Sequence, residues 1–316
     1  MNYRTGYARF ARFAVPMALV ALLATVDSSV AAAPPARVLP TGELYTHGTY
    51  VAMGDSRAAA GSPALTVDYQ LNPCRRSDDN YPSLLRDKIH PRTFINLACV
   101  GAESAHLRYY PQVRPLGSSN SMGSLGSSSG SLGSLGSTTL IDPQLRHVPR
   151  DAQLVTISMG GNDLGWSTML SKCNIMVNPN CRLNPAQKAR RAKGMQKMTL
   201  QSATTLRAVR ARVPQAQLFT VGIGGMFGSH GCRGVQLRSA DSKWFRAMFD
   251  EANARLRKET EAVGGKFIDI SDRGHDACSR QPWYYGRTAP PGEIPFHLNK
   301  AGRAVIADRI AASIRR

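Results

Sequence analysis

Tyr50-Val51-Ala52-Met53-Gly54-Asp55-Ser56 is an apolar run that stops abruptly at a glycine and two polar residues. A short, uninterrupted apolar run of this kind reads as a buried β-strand, here 50–53, and the stop as its turn. The pattern recurs along the chain. Residues 93–98 end near Gly101, and residues 153–159 end at Gly160-Gly161-Asn162-Asp163. Residues 217–223 end at Gly224-Gly225, and residues 266–270 form a fifth run. Between these runs lie helical patterns at 195–213 and at 242–263. In the second, Phe245, Met248, Phe249, Ala252, Leu256 and Ala262 fall on roughly one face. Strands alternating with helices predict an α/β fold with a parallel sheet covered on both faces. In such sheets the ligand site forms beyond the carboxyl ends of the strands. Most of the Gly-rich polar turns fall at those ends.

The chain has 316 residues, enough for a sizeable core, and 42% hydrophobic residues exclude a wholly disordered chain. Forty Lys and Arg against 21 Asp and Glu leave a formal charge of +19, which bears on partners rather than on fold. At the N-terminus, Arg4, Arg9 and Arg12 precede an uncharged stretch at 13–26, and small residues follow to Ala33. The stretch is too short to span a bilayer, so residues 1–33 read as a secretory signal peptide, cut after Ala32 or Ala33. No cysteine stands near that point to carry a lipid. The mature chain, 34–316, would then be secreted, free of a transmembrane anchor, and still strongly basic. Its six cysteines, Cys74, Cys99, Cys173, Cys181, Cys232 and Cys278, suggest three disulfides in an exported chain. Fifteen pairings are open. No Cys-x-x-Cys spacing points to zinc. Residues 117–139 are mostly Gly and Ser with a repeated Leu-Gly-Ser, and read as a flexible insertion in a loop.

Four residues stand where chemistry is expected. Ser56 sits where a strand turns into a helix, so its hydroxyl and its own N–H can point into one crevice, although a serine there also suits a plain N-cap. Gly101 lets the backbone approach a ligand and can offer an N–H. Asn162 can offer a side-chain amide, while Asn162 or Asp163 also suits capping a helix from Leu164. His297, in Pro295-Phe296-His297-Leu298-Asn299 just before a helix at 300–314, can serve as a general base.

Taken in order, Gly54-Asp55-Ser56, Gly101, Gly160-Gly161-Asn162-Asp163 and His297-Leu298-Asn299 resemble the SGNH hydrolases, also called GDSL esterases and lipases. The likeness runs from Thr49 to about Ile314 and crosses the Gly/Ser segment, which makes 34–316 one domain. It implies a three-layer α/β/α flavodoxin-like fold around a central parallel sheet. The stretch 74–82 and the cysteine layout resemble the secreted actinobacterial lipase branch. That likeness implies sequential disulfides: Cys74 with Cys99, Cys173 with Cys181, and Cys232 with Cys278.

The resemblance implies ester hydrolysis through an acyl-enzyme. Ser56 would be the nucleophile and His297 the base. The Ser56 and Gly101 N–H groups and the Asn162 amide would form the oxyanion hole. No metal or other cofactor is called for. Many relatives place an aspartate three residues before the histidine, where this chain has Ile294. The imidazole is therefore expected to be oriented by a backbone carbonyl near Ile294, with Glu293 as the rival and Asp272 or Asp276 more remote. Arg57 follows Ser56 where relatives often have tyrosine, adding positive charge there.

The expected substrate is an acyl ester, foremost an acylglycerol lipid. A short-chain carboxylesterase or carbohydrate O-deacetylase comes second, and a phospholipase third. A non-catalytic, secreted polyanion-binding protein is the reading from another class. Lys188, Arg190, Arg191, Lys193 and Lys197 form a basic run suited to weak association with an anionic envelope surface. No nucleic-acid module is visible, nor a P-loop. Phe227 stands where a dinucleotide fingerprint starting at Gly222 needs its last glycine. The chain is expected to act as a monomer.

Overall fold

The computed structural model describes residues 48–63, 72–115, 138–176 and 178–314. The expected signal peptide at 1–33, and 117–137 of the Gly/Ser segment, lie outside these described residues. The order of elements is β1 (Thr49–Gly54), α1 (Ser56–Ala59), α2 (Tyr81–Ile89), β2 (Thr93–Asn96), α3 (Ser104–Arg108), β3 (Gln112–Pro115) and β4 (Thr138–Ile141). Then come β5 (Leu154–Ser158), α4 (Gly161–Leu164), α5 (Trp166–Ser171), α6 (Pro185–Arg212), β6 (Gln217–Val221), α7 (Ser239–Glu261), β7 (Lys266–Ile268) and α8 (Lys300–Ser313).

Five of the strands form one sheet in the order β2-β1-β5-β6-β7, every pair parallel. With the β3–β4 hairpin set aside this is the 2-1-3-4-5 order of flavodoxin-like folds, and the chain reverses direction across the sheet between β1 and β5. Right-handed crossovers on the two sides of that point place the helices on opposite faces. Accordingly α2 packs with α8, and α6 packs with α7. The strands are apolar because both faces are covered: Val51, Val155 and Leu218 stand in one row across β1, β5 and β6, all buried.

The helix starts follow from local chemistry. Asn80, Asn184 and Asn299 each accept an N–H of the first turn, and Pro82 and Pro185 occupy first-turn positions where no donor is missed. Leu97 and Ala98, read as strand, lie beyond the end of β2. Thr138 and Thr139, read as the tail of the Gly/Ser insertion, belong to β4. The three disulfides join Cys74 to Cys99, Cys173 to Cys181, and Cys232 to Cys278. Among the described residues no helix is long and apolar enough to cross a membrane.

Candidate active site

β1 ends at Gly54, whose φ of +136° is open only to glycine, and a Cβ there would collide with the Ser158 carbonyl of β5. The chain then turns directly into α1. Asp55 is its N-cap, accepting the Arg57 N–H at 3.0 Å, and Ser56 is its first residue. A first-turn N–H has no partner inside its helix, and that of Ser56 makes no hydrogen bond among the described residues. The Gly54 backbone is held by Gln144, whose amide accepts from the Gly54 N–H at 2.7 Å and donates to its carbonyl at 2.9 Å. Gln144, buried in a short 3₁₀ turn, substitutes for a strand neighbour where β2 has already stopped. Nothing in the residues around Gln144 announces this role.

Ser56 Oγ lies 2.7 Å from His297 Nε2. His297 Nδ1 lies 3.0 Å from the carbonyl oxygen of Pro295. A carbonyl only accepts, so Nδ1 carries the hydrogen and Nε2 is left to accept the serine proton. The carbonyl on the imidazole thus belongs to Pro295; that of Ile294 instead accepts the His297 N–H at 3.2 Å. Glu293 is turned away from the ring and held by Arg303, at 3.0 Å and 3.2 Å, and by the Tyr285 hydroxyl. Asp272 pairs with Arg309, and Asp276 caps its own turn at Cys278 and Ser279. A glutamate two residues from a carbonyl acceptor looks equivalent in sequence, and only side-chain direction separates them.

The histidine loop is braced from below. Arg303, on α8 and almost wholly buried, bonds Glu293, the Leu298 carbonyl and Asp79. Phe296, immediately before the histidine, adopts a left-handed φ of +59°, a conformation that costs a non-glycine residue energy and persists only where its surroundings enforce it. Burial lowers the His297 pKa below the usual imidazole value; the Pro295 carbonyl and Asp55 oppose that fall.

Asn162 lines the same small cavity as Ser56 and His297. It is the second residue of α4, whose N-cap is Gly160 at φ +91°, so neither Asn162 nor Asp163 caps a helix here. The Asn162 amide donates to the Ala102 carbonyl at 2.8 Å, which leaves its second hydrogen available. Asp163 is buried, and one of its oxygens accepts both the N–H and the hydroxyl of Ser104 at 2.9 and 2.8 Å. Desolvation raises its pKa to about 6, and its other oxygen has no partner. Adjacent residues of α4 therefore grip the loop that carries Gly101. Gly101 itself is exposed at φ +81°, with its N–H unbonded among the described residues. It is not among the residues lining the small cavity. The Cys74–Cys99 disulfide and the Gln112 amide, which donates to the Val100 carbonyl at 2.9 Å, fasten this turn on its other side.

Arg57 does not present a free charge. Its guanidinium is buried, pairs with Asp55 at 2.9 Å, and donates to the carbonyls of Met159 and Gly222 at the ends of β5 and β6. It ties three strand ends together beneath the serine.

Residues 52–305 match the family model of the GDSL-like Lipase/Acylhydrolase family. A lipase of Streptomyces rimosus is 26% identical over 257 residues, covering 81% of this chain and 82% of that protein. Lipase 2 of Streptomyces coelicolor is 26% identical over 303 residues, covering 90% and 89%. Among solved structures, an extracellular lipase from Streptomyces rimosus superposes with a TM-score of 0.64 at 24% identity, over 85% of this chain and all of that one. A phospholipase A1 from Streptomyces albidoflavus superposes with a TM-score of 0.62 at 20% identity, over 85% and 99%. These likenesses and the site at the strand ends lead to one assignment: the chain belongs to the GDSL-like lipase/acylhydrolase family and is a carboxylic ester hydrolase.

Proposed function

We propose that the protein is a secreted serine ester hydrolase in which Ser56 and His297 work as a dyad oriented by the Pro295 carbonyl, within one domain at 34–316. The observation that carries this reading is the 2.7 Å contact between Ser56 Oγ and His297 Nε2 at the end of β1, beside an unbonded Ser56 N–H. His297 Nε2 takes the serine proton as Oγ attacks the ester carbonyl. The N–H groups of Ser56 and Gly101 and the Asn162 amide receive the oxyanion. His297 then protonates the departing alcohol, and water, activated the same way, releases the acid. A carbonyl in place of a carboxylate fixes the tautomer but adds less stabilisation to the imidazolium. Secretion is supported by the basic-then-apolar N-terminus and the three disulfides.

Long-chain acylglycerols are the first substrate class, on the likeness to proteins named lipase. One observation favours the short-chain alternative, a carboxylesterase or O-deacetylase: the partly open cavity beside Ser56, walled by Trp166, Ile223, Met226 and Phe296, is only about 30 Å³. That is room for little more than a water molecule. Hydrolysis of p-nitrophenyl esters from acetate to palmitate, by wild type and Ser56→Ala, tests both points. Activity abolished by the substitution is expected, and full activity in the variant would overturn the dyad. An optimum at acetate or butyrate would favour the esterase reading, and one at longer chains the lipase reading.

A further inference from the structure

The helix α6 carries eight Lys and Arg and no acidic residue over its 28 positions. Its inner face packs behind the Asn162 turn, with Gly194 against the Leu164 carbonyl and Met198 against Gly160. Its outer face, together with α7, lines a groove of about 960 Å³, far larger than the cavity at Ser56. The floor is apolar: Met195 and Trp244 lie in it, and Leu200 projects with 61% of its surface exposed. Four cations line it against two carboxylates, Glu251 and Glu259. Glu251 is shared by Arg191 at 2.9 Å and Arg255 at 2.8 Å. Lys188 and Arg207 have no carboxylate partner among the described residues.

An exposed leucine, Leu200, and a half-buried tryptophan, Trp244, set among cations without carboxylate partners are the pattern of a surface that meets a charged interface with an apolar interior. A nucleic acid would reward the cations but not Leu200, and a neutral protein partner would not reward the cations. We propose that the α6–α7 groove docks the protein on an anionic lipid bilayer, with Lys188 and Arg207 at the headgroups and Leu200 and Trp244 at the apolar boundary. The proposal extends the functional reading above from substrate to partner, and it holds or fails independently of Ser56.

The test uses the Ser56→Ala protein and follows phospholipid hydrolysis alongside binding, so that failure of the nucleophile assignment is read separately from failure of docking. Partition is measured onto vesicles of phosphatidylcholine with phosphatidylglycerol, and onto phosphatidylcholine alone, across a salt series. Trp166 and Trp283 are buried, so a blue shift in tryptophan emission on binding reports Trp244. The expected result is salt-sensitive binding to the anionic vesicles only, with that blue shift. Lys188→Ala with Arg207→Ala should weaken it roughly 30-fold, about fivefold for each cation. Leu200→Ser should weaken it about tenfold. In the Ser56-containing background these substitutions should leave hydrolysis of a soluble short-chain ester unchanged. Equal binding to neutral vesicles, no blue shift, or variants that bind vesicles as tightly as the parent would overturn the proposal. So would binding to heparin or single-stranded DNA without binding to anionic vesicles.

Discussion

In the proposed dyad His297 serves as a base only when neutral, and its burial makes protonation harder than in water. A lowered pKa extends the neutral form to lower pH, so activity should survive mild acidification and fall only below the ordinary imidazole range near ~6.5. Asp163, pushed up to about 6, titrates in the same region. Asp163→Asn removes that titration while keeping an oxygen to accept from Ser104. The acid limb of kcat/KM in Asp163→Asn should therefore report His297 alone and lie below pH ~6.5. A limb at or above that value would contradict an imidazole buried against a carbonyl.

At the scale of elements, Ser56, the proposed nucleophile, is placed by the end of a strand whose outer neighbour has already stopped. Gln144 closes that gap with its side-chain amide, whose oxygen accepts from the Gly54 N–H and whose NH2 donates to the Gly54 carbonyl, from a turn outside the sheet. Gln144→Leu would keep much of the volume and leave the Gly54 N–H buried without a partner, at a cost of about 1–3 kcal/mol. The expected readings are a melting temperature a few degrees lower and a fall in kcat with little change in KM, because substrate contacts are untouched while Ser56 shifts. The opposite split, a raised KM with unchanged kcat, would mean that Gln144 does not position the serine.

Across the whole molecule, the histidine and the serine are 241 residues apart, and separate parts of the structure must hold them in register. Arg303, on α8, links two of them: Asp79 ahead of α2, and the histidine loop through Glu293 and the Leu298 carbonyl. Removing one member of such a buried ionic cluster costs about 3–5 kcal/mol, since the carboxylates left behind lose their counter-charge. Arg303→Met should thus destabilise the protein strongly, as read by urea unfolding. Glu293→Gln, which keeps an oxygen to accept from Arg303, should cost less stability and move the acid limb of the pH profile slightly to lower pH, because the Glu293 charge raises the His297 pKa. A loss of activity by orders of magnitude in folded Glu293→Gln would restore Glu293 as the partner of the imidazole.

The sequence by itself determined the sheet and its site end. Five apolar runs each closing on a turn, with helical stretches between, suffice for a parallel sheet with its crevice at the strand ends, because hydrophobic periodicity and turn chemistry are local. The turns that hold Ser56, Gly101, Asn162 and His297 were legible for the same reason, each having a distinctive composition. The hairpin was not: β3 and β4 are four residues each, and their exposed pair, Val113 and Leu140, has no alternation long enough to read. Only the tertiary structure decided what each turn does. It put the Pro295 carbonyl, not Glu293, on the imidazole. It buried Arg57 as a clamp on three strand ends and turned Asp163 from a helix cap into a grip on Ser104. These outcomes depend on the direction of a side chain relative to partners tens or hundreds of residues away. Desolvation and hydrogen-bond satisfaction select that direction once the core has formed.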